Sequence, residues 1–377
     1  MTTAFKEMQR YCNQRDLAAR EWKKKGGKIV GYFCDSVPEE MILAAGFFPV
    51  RLSGNPEGGT DVARKHIIPR FAAREEFVHS ILNMLLTGAY DFLDYLIIPH
   101  ARDSVHRLYQ LLVNLKTTEP ELGIPVLFFL DTLHTTFFSS GMYERDRMIE
   151  FKKTLEDWSG KKITNNDLSQ AVKTTNQNKK LLKQMATFRI TDPPRISGAE
   201  ALKIIGASMV MLKNDHNRLL KSFLEEEVEK LPERKGKRIF VSGSPLDHSQ
   251  LYDIVESDNA IVVGEDHCWG NRYSDGPIDT TPDALEAIID RYHFRPPCSR
   301  MFPMSRRIEF FLQAVKESGA QQVVFFIYKH DEAEAWEVPE KIKALAKKGI
   351  PAVTLKNQPY RISDPEKLKT DIHEHDG

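Results

Sequence analysis

The stretch from residue 28 to residue 52 constrains the fold of this chain more than any other. Its sequence, KIVGYFCDSVPEEMILAAGFFPVRL, reads as a buried strand, a sharp loop, a short helix and a second buried strand. Such a unit is the building block of a parallel α/β sheet. Ser36, followed by Glu39, predicts a capping box at the start of the helix. The free N–H groups of that first turn would face the carboxyl end of the strand together with Cys34 and Asp35, and open α/β sheets bind ligands there. A purely structural capped helix fits the same residues.

Short apolar runs repeat this pattern on both sides of a long helical section. Each run is followed by polar residues, and the runs are 95–99, 125–130, 238–243, 260–264, 322–328 and 352–355. Continuous apolar runs are typical of parallel strands that are buried on both faces. We therefore predict an α/β protein whose two α/β domains each contain a small four-stranded parallel sheet. The predicted segments are an N-terminal helix (1–27), a first α/β domain (28–140), a helical section (141–235) and a second α/β domain (236–377).

The charge and hydropathy of the chain exclude two classes of partner. Lys plus Arg and Asp plus Glu both number 53, so no net charge draws the chain to nucleic acid or to an anionic membrane. The aromatic residues Phe325, Phe326 and Trp336 are assigned to the core rather than to a base-stacking surface. Apolar runs stay shorter than the roughly 18 residues that span a bilayer, and the polar beginning does not read as a signal peptide. We expect a cytoplasmic protein without nucleic-acid or membrane partners.

The four cysteines do not form a recognisable metal motif. They contain no CxxC pair, so neither a disulfide framework nor a zinc knuckle is indicated: Cys12, Cys34, Cys268 and Cys298. The chain also lacks a GxGxxG fingerprint, a P-loop, a nucleophile elbow and a His-x-x-x-His pattern, so spacing alone does not specify a reaction.

The loops that follow the strands supply the candidate site residues. His330 comes directly before Asp331 and Glu332, and carboxylates beside a histidine suit proton transfer, although helix capping would explain the same three residues. Arg272 could clamp a phosphate or a carboxylate, or form a surface salt bridge. Arg102 is either a fixed cation above a helix N-terminus or a structural ion-pair partner. These loops usually face a shared cleft, which predicts a small-molecule site.

Several motifs resemble the family of benzoyl-CoA reductases and 2-hydroxyacyl-CoA dehydratases, in the subunits of the heterodimeric substrate-handling component. The resembling stretches are 31–46 (GYFCDSVPEEMILAAG), 88–91 (GAYD), 97–99 (IIP), Asp103 with Ser104, 265–272 (EDHCWGNR), Trp336, Pro339, 349–351 (GIP) and 358–360 (QPY). The resemblance implies two flavodoxin-like domains, an acyl-CoA substrate and a ketyl radical intermediate. It also implies a low-potential electron from a separate, ATP-hydrolysing iron–sulfur activator.

The chain departs from this family at the positions of the cluster cysteines. Where dehydratase subunits carry those thiols, this sequence has Glu75, Arg102 and Asp331. Carboxylates and a guanidinium are poor ligands for an iron–sulfur cluster, which prefers thiolates. The resemblance therefore implies that this chain ligates no metal, and that the 4Fe–4S clusters belong to a homologous, cysteine-bearing larger subunit and to the activator, which uses ATP. Arg102 would then occupy the space of the cluster.

We predict a subunit of a benzoyl-CoA reductase-like enzyme that binds an aromatic acyl-CoA and supports its reductive dearomatisation. The alternatives are a subunit of an (R)-2-hydroxyacyl-CoA dehydratase and a non-catalytic scaffold in such a complex. The candidate catalytic residues are His330, Asp331, Glu332 and His267, and the candidate substrate-binding residues are Cys34, Asp35, Ser36, Arg102 and Arg272.

Overall fold

Two four-stranded parallel sheets organise the computed structural model, which describes residues 3–67, 75–257, 259–280 and 282–373. The first sheet has the order β2-β1-β3-β4 and the second has the order β6-β5-β7-β8, so the second sheet repeats the first. The strands are β1 (Ile29–Tyr32), β2 (Phe48–Arg51), β3 (Tyr95–Pro99), β4 (Val126–Leu130), β5 (Lys237–Gly243), β6 (Ala260–Glu265), β7 (Gln322–Tyr328) and β8 (Ala352–Gln358). Both predicted sheets are confirmed, in a form consistent with two flavodoxin-like domains.

Helices cover both faces of each sheet. In the described ranges they are α1 (Thr3–Asn13), α2 (Leu17–Lys24), α3 (Glu39–Ala44), α4 (Asp61–His66), α5 (Glu76–Leu86), α6 (Asp103–Thr118), α7 (Phe138–Ser159), α8 (Asn165–Ile190), α9 (Gly198–Ser208), α10 (Lys213–Ser222), α11 (Gln250–Val255), α12 (Ala284–His293), α13 (Met304–Ser318), α14 (Glu332–Ala346) and α15 (Pro365–His373). The segment predicted as one N-terminal helix contains both α1 and α2. None of the helices placed in these ranges is both long and apolar enough to cross a bilayer.

The helical section between β4 and β5 contains α7 to α10. Residues 131–235 are all described and form helices and turns without a strand, as the sequence predicts. Thr164 caps α8 in a capping box with Asp167, which satisfies free N–H groups of the first turn. Helix α8 then runs for 26 residues, long enough to contact both α3 and β6. The domain boundaries stay a prediction, and α8 physically connects the two sheets.

Each sheet buries alternate residues against different helices, as the period of a strand requires. In the first sheet, Ile29 and Leu96 belong to one apolar cluster with residues of α5 and α6. Val30 and Ile97, on the opposite face, cluster with residues of α7 and α12. In the second sheet, α1, α8 and α9 pack on one face, and α13 and α14 pack on the other. Because both faces are covered, ligands can reach the sheets only at the strand ends.

The predicted capping box at the start of α3 is wrong. Helix α3 begins at Glu39 with Pro38 in the N-cap position, and the hydroxyl of Ser36 is buried without a hydrogen-bond partner among the described residues. Glu39 is instead drawn inward, where its carboxylate accepts from Tyr273 Oη at 2.7 Å and pairs with Lys213 Nζ at 2.9 Å. A charge-assisted contact is stronger than the bond that a capping box offers.

The core assignment is right for two of the three aromatic residues. Phe325 and Phe326 are fully buried in β7, but Trp336 is 77% exposed. Helix α14 buries the face that carries Glu334, Val338 and Leu345, and Trp336 lies on the opposite face. The apolar character of one residue therefore did not reveal which face of the helix it occupies.

Candidate functional site

The strand ends of both sheets meet at an open cavity of about 850 Å³. The loops after β3, β4 and β7 contribute to its wall, together with the segment that precedes α13. The lining residues are Glu75, His100, Ala101, Arg102, Asp103, Ser104, His106, Arg107, His134, Ser299, Arg300, His330, Asp331, Glu332 and Ala333. Since β3 and β7 hold the same place in their sheets, the cavity lies between two equivalent edges, where α/β folds bind ligands.

An ion-pair cluster, formed by Glu75, Arg102 and Asp331, closes the floor of this cavity. Arg102 Nη1 is in close contact with Glu75 Oε2 and lies 3.5 Å from Asp331 Oδ2. Ser104 Oγ donates to Glu75 Oε1 at 3.2 Å. Arg102 follows β3 and Asp331 follows β7, so the cluster connects the two sheets. The structure thus brings together all three residues that stand in place of cluster cysteines in the resemblance.

Asp331 is the most enclosed member of the cluster, with a side chain that is 0% exposed. Its Oδ1 accepts from Arg300 Nη2 at 3.0 Å, and its Oδ2 accepts from Ser244 Oγ at 2.8 Å. Burial alone would raise the pKa of Asp331, but Arg102 and Arg300 outweigh burial and hold the pKa below its ordinary value. Asp331 is therefore an ionised, fully paired carboxylate rather than a proton donor.

Glu75 has the opposite behaviour, although it contacts the same guanidinium. Burial raises the pKa of Glu75 above its ordinary value, and the negative charge of Asp331 adds to the rise, while Arg102 only partly offsets both. For Arg102, the charges of Asp331 and Glu75 outweigh burial and raise the pKa well above its usual range. One permanently charged cation thus holds two carboxylates of unequal acidity.

This donor set does not fit an iron–sulfur cluster. A 4Fe–4S cluster is held by thiolates, whereas the floor offers carboxylates, a hydroxyl and a guanidinium whose Nη1 contacts both carboxylates. Elsewhere in the described ranges, no three His, Cys, Asp or Glu side chains are arranged to hold a metal ion. That this chain ligates no metal stays a prediction, and it rests on the chemistry of these side chains.

Two of the predicted proton-transfer residues face the cavity freely. His330 and Glu332 are exposed on its wall, while Asp331 between them turns into the ion-pair cluster. His330 has a φ of 70°, in the left-handed region that side chains with a Cβ rarely adopt. The sharp turn after β7 therefore points Asp331 inward and keeps its two neighbours at the surface of the cavity.

Sequence reasoning did not single out two residues of this wall, His134 and Arg300. On the same wall, His100 Nδ1 lies 2.8 Å from Asp131 Oδ1, and Tyr143 Oη donates to Asp131 Oδ2 at 2.6 Å. Burial, followed by the charge of Arg295, lowers the pKa of His134 to about 4. The strand-end rule could have indicated His134, which follows β4. Arg300 lies in a loop far from any strand end, and no pattern in the sequence indicated its pairing with Asp331.

The remaining predicted residues form a separate group that does not line the large cavity. Arg272 Nε lies 3.6 Å from Asp35 Oδ2, and Arg272 lines a smaller cavity of about 250 Å³. Burial raises the pKa of Cys34 to about 12, and the nearby Cys268 adds to the rise. Ser36 is buried beside them in the loop after β1. None of these four residues lines the open wall of the large cavity.

His267 occupies the interior of the second α/β half. Its Nε2 lies 2.7 Å from Tyr252 Oη, and its side chain is buried. Burial lowers the pKa of His267 to about 4, which keeps the imidazole neutral at physiological pH. His267 is predicted as catalytic, yet the structure brings it together with a tyrosine hydroxyl and not with the cavity wall.

Comparison with known proteins gives a consistent set of relatives. A family model described as 2-hydroxyglutaryl-CoA dehydratase, D-component, matches residues 34–374. The chain is 25% identical over 376 residues to the (R)-phenyllactyl-CoA dehydratase beta subunit of Clostridium sporogenes, covering 96% of this chain and 94% of that protein. It is 25% identical over 364 residues to the beta subunit of the (R)-2-hydroxyglutaryl-CoA dehydratase of Acidaminococcus fermentans, covering 94% and 93%. It is also 25% identical over 276 residues to one of the benzoyl-CoA reductase subunits of Thauera aromatica, covering 72% and 70%. Because the family model spans most of its length, the chain belongs to the 2-hydroxyglutaryl-CoA dehydratase D-component family.

Proposed function

We propose that this chain is a subunit of an enzyme complex that transforms an acyl-CoA, and that the complex resembles benzoyl-CoA reductase. In this role the chain helps to enclose an aromatic acyl-CoA while a cysteine-bearing larger subunit holds the 4Fe–4S cluster. An ATP-hydrolysing iron–sulfur activator supplies the electrons. The relatives support the coarser part of this proposal, because their names describe them as dehydratase or reductase subunits.

The observation that carries the finer part is the ion-pair cluster of Glu75, Arg102 and Asp331. Arg102 fills the floor of the cavity with a side chain that is 8% exposed, and the cluster offers no thiolate. A subunit built in this way supports the reaction through shape, charge and proton transfer rather than by carrying an electron. This favours a pair in which one subunit holds the metal and the other does not.

The residues of this chain would act on the substrate from the open wall. A volume of about 850 Å³ lies within the range of pockets that bury most of a small ligand. His330 and Glu332 are exposed on that wall, and histidine can exchange protons near neutral pH. We assign His330 the role of proton donor to the ring, with Glu332 beside it.

The second candidate is a subunit of an (R)-2-hydroxyacyl-CoA dehydratase. It is favoured by two relatives whose names describe such dehydratases, each matched over more than 90% of this chain. A non-catalytic scaffold is the third candidate, and it is the one that requires neither His330 nor Glu332.

Electron stoichiometry in the purified complex separates these candidates. A reductase consumes electrons in proportion to product, whereas a dehydratase needs only a small initial input. We expect stoichiometric consumption with benzoyl-CoA, and turnover of a 2-hydroxyacyl-CoA on trace reductant would contradict the proposal. His330→Ala in the same complex tests the scaffold: unchanged turnover would favour it.

A further inference from the structure

A patch of large apolar side chains is exposed beside the cavity. It consists of Phe137, Phe138, Met142, Phe294 and Phe302, which we call the aromatic patch. Their exposed fractions are 58%, 84%, 58%, 57% and 58%. An isolated exposed apolar residue needs no explanation, but a group of five on one surface does.

The members of the patch come from three segments that pack together. The rings of Phe137 and Phe302 lie 6.2 Å apart. Phe138 and Met142 are one turn apart on α7 and therefore share a face. The same helix approaches the end of α12, where His293 Nδ1 lies 2.5 Å from Glu144 Oε2 and the ring of Phe294 lies 4.6 Å from that of His293. The start of α7, the segment around Phe302 and the end of α12 therefore lie next to one another.

The exposed area of the patch approaches what one side of a stable interface requires. With roughly 200 Å² for a whole large apolar side chain, the exposed fractions amount to about 600 Å². The largest apolar patch on a typical monomer covers roughly 300–600 Å². One side of a standard stable interface covers about 800 Å². The patch therefore stands at the upper limit for a free surface and would supply most of one side of an interface.

The patch adjoins the mouth of the cavity. The backbone N–H of Phe302 donates to the carbonyl oxygen of His134 at 2.8 Å, and His134 lines the cavity. Ser299 and Arg300, a few residues before Phe302, line the same wall. A protein seated on the patch would consequently cover part of the cavity opening and exclude water from it.

We propose that the aromatic patch is the docking surface for a second, non-identical subunit, whose contacting face is apolar. The inference rests on the proposed function, and it locates the interface that this function requires. A second copy of this chain is the less suitable occupant, because it would bring another floor of carboxylates and guanidinium to the shared site. A complex that needs a thiolate-held cluster next to the cavity must obtain it from a different chain.

Substitution of Phe138 by glutamate tests the proposal in the assembled complex. Phe138 is the most exposed member of the patch, so Phe138→Glu should leave the fold of the chain intact. A charge buried without a partner at an apolar interface should weaken binding of the larger subunit by roughly 30-fold or more in Kd. Val113→Glu is the matched control, since Val113 is 42% exposed on α6 outside the patch, and it should leave Kd unchanged.

The measurements are circular dichroism of each variant and the mass of the complex as a function of concentration. The proposal is supported if the Phe138→Glu variant no longer binds the larger subunit, the Val113→Glu variant still does, and the circular dichroism spectrum of Phe138→Glu is unchanged. An unchanged Kd for Phe138→Glu overturns it. The proposal is also overturned if this chain forms a dimer that Phe138→Glu dissociates while the larger subunit stays bound. That result would identify a second copy of the chain as the occupant of the patch. Phe138→Leu, which keeps the apolar surface, should retain binding and excludes a folding defect at this position.

The docking proposal and the proposed function can fail separately. If the complex dissociates with Phe138→Glu but the intact complex binds no acyl-CoA, the interface is correct and the function is wrong. If the complex turns over acyl-CoA and is indifferent to Phe138→Glu, the function stands and the interface lies elsewhere.

Discussion

Replacing Arg102 with methionine removes the cation that joins two buried carboxylates. The side chains of Arg102, Glu75 and Asp331 are 8%, 9% and 0% exposed. Removing one member of a buried ion pair leaves an uncompensated charge and costs about 3–5 kcal/mol. Asp331 keeps Arg300 Nη2 at 3.0 Å, so Glu75 is the carboxylate left without a cation among the described residues. We therefore expect Arg102→Met to lower the free energy of unfolding by about 3 kcal/mol, at the lower end of this range.

The loss of stability should depend on pH with a definite sign. Burial already raises the pKa of Glu75 while Arg102 is present, and removing Arg102 raises it further. A carboxyl group whose folded-state pKa exceeds its unfolded value binds more protons in the folded state, so the folded state loses stability as pH rises through that interval. The loss caused by Arg102→Met should accordingly be larger at pH 8 than at pH 5, where Glu75 can take up a proton.

Urea unfolding followed by circular dichroism at both pH values measures this difference. Arg107→Met is the matched control, because Arg107 pairs with Asp103 on the surface, with side chains 37% and 77% exposed. Such exposed pairs contribute at most about 1 kcal/mol. A cost for Arg102→Met as small as that of Arg107→Met, or an equal cost at pH 5 and pH 8, would be inconsistent with a buried cation shared by two carboxylates.

Three further positions can be tested by single substitutions or labelling. His330→Gly should keep the free energy of unfolding or raise it by up to about 1 kcal/mol, because φ at this position is 70° and glycine adopts that conformation without strain. The complex should nevertheless lose turnover. A clear drop in thermal stability would contradict a left-handed turn at this residue. Cys34 should react slowly with iodoacetamide at pH 8, because burial raises its pKa to about 12 and only the thiolate is nucleophilic. Mass spectrometry of the folded chain measures the labelling, and rapid labelling would show that this thiol is not enclosed. Arg189→Met should cost about 3–5 kcal/mol in urea unfolding, because its guanidinium lies 2.6 Å from Glu265 Oε2 with both side chains buried; a cost below that of an exposed pair would argue against this buried contact.

The sequence predicts the two sheets well because their strands are buried on both faces. Residues such as 95–99 and 322–328 form continuous apolar runs, which are typical of central parallel strands and too short for buried helices. The start of α3 shows where local rules fail. Ser36 and Glu39 have the spacing of a capping box, but Lys213 and Tyr273 come from distant parts of the chain and take the carboxylate. Local spacing cannot anticipate a long-range partner of this kind.

The candidate site was predictable to a similar extent. The strand-end rule places Arg102 and Asp331 at the edges of their sheets, and both are found there. Their contact with each other depends on how the two sheets approach, which no periodicity encodes. The rule also grouped His267 with the cavity residues, because it treats all strand ends alike. Only the packing of Tyr252 against His267 shows that this histidine is an interior residue.

Iron and acid-labile sulfide in the isolated chain reveal whether this protein can hold a cluster by itself. The chain should be purified without oxygen, incubated with iron and sulfide, desalted and analysed beside the larger subunit of its complex. Because the floor of the cavity is the ion-pair cluster of Glu75, Arg102 and Asp331, the chain alone should retain essentially no iron, and iron in the complex should follow the larger subunit. About four iron atoms per copy of this chain, with the spectrum of a 4Fe–4S cluster, would contradict a division of labour in which only the larger subunit holds the metal.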